Sequence, residues 1–239
     1  MELETANRTD KGGREHNEDS VREIYKEGGY CAVVADGLGG HGGGELASSL
    51  AAEEICGNWN GRADNTELER IIRLAHEGVR KIQTPECAMK TTAVVLALEK
   101  NRAAWAHVGD SRLYHFYNGK IVFQTRDHSA SQIAVLLGEI TPDQIRFHED
   151  RARILRALGQ DAELNIDSSY EELAPGNHAF LLCSDGFWEY VLENEMEEDL
   201  ERATNPGQWL ELMSGRLSGK VPEDNDNNTA CAVWAWVTV

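Results

Sequence analysis

No apolar run in this 239-residue chain approaches the roughly 20 residues that a bilayer-spanning helix requires, so no membrane span is expected. The start, Met1 to Asp10, lacks a basic stretch followed by an apolar one and offers no secretory signal. Cysteine is scarce and scattered. Five residues, Cys31, Cys56, Cys87, Cys183 and Cys231, form no close pairs, which argues against a disulfide framework or a zinc site and makes a reducing cytoplasm the simplest setting. Cys31, Cys183 and Cys231 stand in apolar runs, as small core residues do. Positive charge is also short. A formal net charge of −18 disfavours nucleic-acid binding, which needs a basic face. There is no internal repeat, low-complexity tract or Pro/Ser linker, so residues 1–239 read as one domain.

What is present is an ordinary globular composition with clear strand and helix signals. The apolar run Tyr30–Ala35 predicts a buried strand that ends at Asp36-Gly37. A glycine-dense loop follows (Gly37, Gly39, Gly40, Gly42, Gly43, Gly44), then helices over Glu45–Cys56 and Thr66–Ile82. Thr91–Leu98 and Ala103–Val108 predict a hairpin. Arg112–Tyr117 and Lys120–Gln124 predict another, joined by the turn Asn118-Gly119. Residues 129–158 look helical, with interruptions at Gly138 and Pro142. Ala179–Cys183 predicts a strand, Glu193–Ala203 and Pro206–Leu217 helices, and Thr229–Val239 a closing strand. Helices grouped in pairs between runs of strands suggest antiparallel sheets with helices packed outside them.

One local pattern occurs twice: Ala-Val-Val-Ala-Asp36-Gly37 and Phe-Leu-Leu-Cys-Ser-Asp185-Gly186 are each an apolar strand, an aspartate and a glycine. Asp226-Asn227 stands in a similar place before the last strand. A single Asp-Gly is equally a turn or helix cap. Three strand-end carboxylates converging on one edge, however, repel one another unless cations neutralise them, and an all-oxygen set favours Mg²⁺ or Mn²⁺ over zinc. The acidic excess serves solubility, a metal pocket, or both. The glycine run lacks both the Lys-Ser/Thr ending of a P-loop and the spacing of a dinucleotide fingerprint.

Taken together, these segments resemble the metal-dependent protein serine/threonine phosphatases (the PPM, or type 2C, family), particularly the compact bacterial members. The matching stretches stand in family order: Arg14-Glu-His-Asn-Glu18-Asp19; Val34-Ala-Asp36-Gly37-Leu-Gly-Gly-His41; Thr91-Thr92; Val108-Gly109-Asp110-Ser111-Arg112; Thr125-Arg-Asp127-His128-Ser129; Ile140-Thr-Pro-Asp143; Arg156-Ala-Leu-Gly159; Cys183-Ser-Asp185-Gly186; and Asp226-Asn227-Asn-Thr229. The resemblance runs from about Arg8 to the C-terminus.

The resemblance implies an α+β fold: a four-layer α/β/β/α sandwich of two antiparallel sheets packed face to face, with helices on both outer sides. It implies two Mn²⁺ or Mg²⁺ ions bridged by Asp36, with the Gly37 carbonyl, Asp185 and Asp226 completing the first site and Glu18 and Asp19 serving the second. Asp110 matches a position linked to a third, weaker site. Arg14 matches the residue that grips substrate phosphate, and Asn227 is taken as a further substrate contact. The expected reaction is hydrolysis of phosphoserine or phosphothreonine in proteins by a metal-activated water, opposing a serine/threonine kinase, by a cytoplasmic monomer. An inactive phosphoprotein-binding relative and a hydrolase of small phosphoesters are the alternatives. Where some members carry a histidine directly after the first Asp-Gly, this chain has Leu38, so the general acid falls to His41 or to a water at the metals. His128 reads as structural. Residues 129–159 match the family's variable flap.

Overall fold

The computed structural model describes residues 1–38 and 43–238. Two antiparallel sheets form its centre. Sheet one has the order β1 (Glu2–Asp10), β11 (Asn228–Val237), β10 (Gly176–Cys183), β7 (Arg112–Tyr117), β8 (Lys120–Gln124). Sheet two has β2 (Asp19–Lys26), β3 (Gly29–Leu38), β5 (Ala93–Glu99), β6 (Arg102–Val108), β9 (Asp167–Glu172), with the short β4 (Lys90–Thr91) pairing to the end of β3. The helices are α1 (Gly43–Asn58), α2 (Asn65–Ile82), α3 (Ala130–Leu136), α4 (Asp185–Trp188), α5 (Glu193–Arg202) and α6 (Pro206–Ser218).

Apolar side chains fill three layers, and the alternation of each central strand assigns its residues to two of them. From β3, Tyr30, Ala32 and Val34 pack between the sheets against Phe180, Leu182 and Val233, while Cys31 and Val33 face α1 and α2. From β10, Leu181 and Cys183 face outward to Trp209, Leu210 and Met213 of α6. Helices therefore cover both outer faces, and the four-layer sandwich is as expected. Strands buried on both sides read as continuous apolar runs, which is why β3, β5 and β10 were legible.

Local chemistry sets several boundaries. Asp64 caps α2 by accepting from the backbone N–H groups of Thr66 and Glu67, and Asn205 caps α6 ahead of Pro206. Asn118 and Gly119 both take positive φ, 48° and 81°, as a two-residue hairpin between β7 and β8 requires.

The sequence reading departs from the structure in two places. Three strands, β1, β2 and β9, carry no strong apolar alternation, and all three lie at sheet edges. Residues 129–158 contain less helix than expected. After α3 there is only a 3-10 turn over Pro142–Phe147, and then the chain folds back on its own entry. Leu155 N–H donates to the His128 carbonyl at 2.7 Å and Ala130 N–H to the Arg153 carbonyl at 2.9 Å. These backbone groups are satisfied across the segment instead of along a helix. Among the described residues, no helix is long and apolar enough to cross a membrane.

Candidate metal centre

Asp36 follows Tyr30, Ala32 and Val34 in the inward-facing row of β3, so its carboxylate points between the sheets at their open end. Asp19, at the start of β2, is its register partner on the neighbouring strand. From sheet one, Asp185 follows β10 and Asp226 precedes β11, at the same end of one strand pair. Strand topology alone therefore brings four acids from distant parts of the chain to one edge.

The backbone around them is pinned. Thr92 Oγ accepts from the Asp36 N–H at 2.9 Å, and the Asp36 carbonyl accepts from Thr92 N–H and Thr91 Oγ, each at 2.8 Å. The Thr91-Thr92 pair thus holds Asp36 from both sides. Gly37 N–H donates to the Glu18 carbonyl at 3.0 Å. A Cβ at Gly37 would lie 2.2 Å from the Gly44 carbonyl oxygen, so only glycine fits there. Ser184 Oγ donates to Asp19 Oδ2 at 2.7 Å and accepts from Thr229 N–H at 3.0 Å, joining the two sheets beside the acids.

The electrostatics are those of uncompensated buried charge. Burial raises the Asp36 carboxyl pKa well above the usual carboxylate range, and Asp185, Asp19, Asp110 and Asp226 raise it further. Burial and the neighbouring acids push Asp19 up to about 7 despite its bond from Ser184. Asp185 is raised by burial and by Asp226. Asp110 is raised by burial, Asp185 and Asp127. Both Asp110 carboxylate oxygens and Asp19 Oδ1 are buried without any hydrogen-bond partner. Orphaned anionic acceptors in a buried cluster are costly unless a cation meets them, so this donor set fits hard divalent ions.

A cleft of about 840 Å³ opens over this edge, lined by Arg14, Glu18, Asp36, Gly37, Asp185 and Asp226 among others. Ala152 and Ile154 of the 129–159 segment form part of its wall. Arg14 stands half-exposed at the rim and donates to Asp226 Oδ2 at 3.0 Å. Burial raises the Glu18 carboxyl pKa as well. Asn227, expected as a substrate contact, lines the cleft and also holds a neighbouring loop. Its Oδ1 accepts from Glu18 N–H at 2.7 Å, and its Nδ2 donates to the carbonyls of Lys11 and His16 at 2.8 and 2.9 Å. This engagement fixes the loop that carries Arg14 and Glu18. His41 lies outside the described residues.

Two neighbours escaped the sequence reading. Ser184 was visible only as part of Ser-Asp-Gly. Glu189, one helical turn beyond Asp185, is pushed up to about 7 by burial and by Asp185, and it accepts from Arg151 Nε at 2.9 Å. Its i+4 spacing from Asp185 was the available signal.

A family model for protein phosphatase 2C matches residues 12–217. The chain belongs to the protein phosphatase 2C family. It is 30% identical over 230 residues to the serine/threonine phosphatase stp of Listeria monocytogenes, covering 91% of each chain. Its fold matches the crystal structure of the serine/threonine phosphatase PstP/Ppp of Mycobacterium tuberculosis with a TM-score of 0.82 at 29% identity, over 99% of both chains. It also matches the catalytic domain of PstP in complex with two manganese ions, with a TM-score of 0.81 at 29% identity and the same coverage.

Proposed function

We propose that the acids at the open end of the sandwich hold two divalent cations, Mn²⁺ or Mg²⁺, around which this protein serine/threonine phosphatase hydrolyses phosphoserine and phosphothreonine in proteins. The observation that carries this reading is the cluster of buried, mutually repelling carboxylates with orphaned acceptors. Asp36 would be shared by both ions; the Gly37 carbonyl, Asp185 and Asp226 would help hold one, Glu18 and Asp19 would serve the other, and Asp110 would support a third, weaker one. When bound, such ions ease deprotonation of water and neutralise charge on phosphoryl oxygens.

The chain's own groups do the rest. Arg14, at the rim, offers a guanidinium fork to two phosphoryl oxygens. Ser184, Asn227 and the Thr91-Thr92 pair hold the acids in place, so little reorganisation accompanies the reaction. His41 or a water at the metals would give a proton to the departing serine or threonine oxygen. Residues 129–159 act as a flap on a single catalytic domain spanning 1–239. The physiological setting is a cytoplasmic monomer opposing a serine/threonine kinase.

The test compares metal-stripped protein with and without Mn²⁺ or Mg²⁺ on p-nitrophenyl phosphate and a phosphothreonine peptide, with Asp185→Ala alongside. Activity should require added metal, favour the peptide and collapse in the variant. Folded protein inactive with every metal would overturn the proposal.

A further inference from the structure

A second set of ligand-type side chains lies outside the acidic cleft, where residues 129–159 join the sandwich. Ligand atoms of His107, His128 and Asp167 lie within 4.8 Å of one another. His107 on β6 and Asp167 on β9 are register partners, and His128 comes from the loop after β8. The two imidazoles stack, with centroids 4.6 Å apart and planes at 17°. His128 Nε2 is 3.5 Å from Asp167 Oδ1.

The hydrogen bonds fix both tautomers. His107 Nε2 lies 2.8 Å from the Arg126 carbonyl, which can only accept, so Nε2 carries the proton. Nδ1 is then a bare lone pair, and it is buried without a partner on a residue 4% exposed. A backbone carbonyl holding the opposite ring nitrogen is the support that metal-binding histidines use. His128 Nδ1 accepts from Gly109 N–H at 3.1 Å, so its Nε2 carries either a proton or a metal. Yet Arg156 Nη1 sits 3.1 Å from that Nε2 and 3.0 Å from Asp167 Oδ1. A guanidinium N–H and an imidazole N–H face each other there, donor to donor. A cation with vacant coordination positions resolves that conflict, whereas a proton on Nε2 creates it. Burial lowers the pKa of both histidines, which keeps their lone pairs available. Arg156 is partly exposed and can swing into solvent.

We propose that His107 Nδ1, His128 Nε2 and the Asp167 carboxylate bind one transition-metal ion, Zn²⁺ by preference, with Arg156 displaced and water completing the coordination. Two imidazoles and one carboxylate suit borderline Zn²⁺ or Co²⁺ better than Mg²⁺. The ion would tie β6 and β9 to the start of the 129–159 segment and release Arg156 near that segment's other end.

Co²⁺ is the probe, because four-coordinate nitrogen-containing sites absorb visible light far more strongly than six-coordinate oxygen sites. The metal-free full-length protein is titrated with Co²⁺ in excess Mg²⁺, and Zn²⁺ stoichiometry is measured by calorimetry under the same conditions. The expected result is a strong absorption band, bleached by Zn²⁺, and one Zn²⁺ equivalent that disappears in both His107→Asn and Asp167→Asn. Band and equivalent should persist in Asp185→Ala, which damages the acidic centre alone. Asp167 is half-exposed, so its variant should fold, keep its far-UV circular dichroism and retain Mg²⁺-dependent activity. An unchanged band and stoichiometry in Asp167→Asn would overturn the proposal. So would a band that vanishes in Asp185→Ala, since the ion would then belong to the acidic centre.

Discussion

Two kinds of buried carboxylate sit side by side in this protein. Asp127, 5% exposed, accepts two 2.8 Å hydrogen bonds from Nε and Nη2 of Arg112, which is itself 2% exposed. The guanidinium stacks 3.4 Å from the Trp188 ring and also donates to Tyr114. Asp199 is compensated in the same manner by Arg216. Asp19 and Asp110 are likewise buried and Asp36 and Asp185 only partly exposed, but among the described residues no cationic side chain bonds to them. The chain neutralises one set internally and leaves the other for something outside itself. Burial of an acid is therefore not the sign of a functional site; burial without a partner is.

The largest expected effect sharpens that contrast. Asp36→Asn should lower the rate constant for phosphate-ester hydrolysis by at least ~10²–10³-fold, the range for losing one preorganised electrostatic group. In metal-free protein the same change should leave the unfolding midpoint unchanged or raise it, because it removes one of several repelling charges. Urea unfolding beside steady-state kinetics checks both halves.

Arg112→Met should do the opposite. Stranding Asp127 should cost about 3–5 kcal/mol of stability, and Arg112→Met with Asp127→Leu should recover much of it. Equal destabilisation by the single and double variants would break the comparison.

Next in size is a pH effect. Asp19 binds its proton more tightly when folded, up to about 7 against an ordinary value of 3.8. Between those values the folded state holds more protons than the unfolded state, so stability must fall as pH rises. The contribution is complete below the ordinary value and lost by about 7. Thermal midpoints of metal-free protein should show this decline, and saturating Mn²⁺ should flatten it.

Ser184→Ala should cost about 1–3 kcal/mol by leaving Asp19 Oδ2 and Thr229 N–H unmatched, measurable in the same denaturant series. Arg14→Ala should be the mildest for the fold, within about 0.5 kcal/mol, since its ion pair is half-exposed. It should raise KM for a phosphopeptide at unchanged thermal midpoint.

The sequence by itself determined the central strands, the capped helices and the Asn118-Gly119 hairpin. Each rests on side-chain pattern or local hydrogen bonding within a few residues. It also marked Asp36 and Asp185, because an aspartate ending an apolar run is a local signal. Edge strands β1, β2 and β9 were not legible: one face of each meets solvent, so the partner strand, not an apolar run, makes them strands. Nor could sequence distance show that Arg112 belongs to Asp127 while Asp36 has no such partner. In the family motifs both aspartates look alike. The same holds for the bonds by which Asn227 holds the Lys11–Glu18 loop, and for 129–158, where chain reversal replaced helix. Tertiary structure decided these because each depends on which distant groups arrive within hydrogen-bonding range, and hydrogen bonds and buried charges are settled only at about 3 Å.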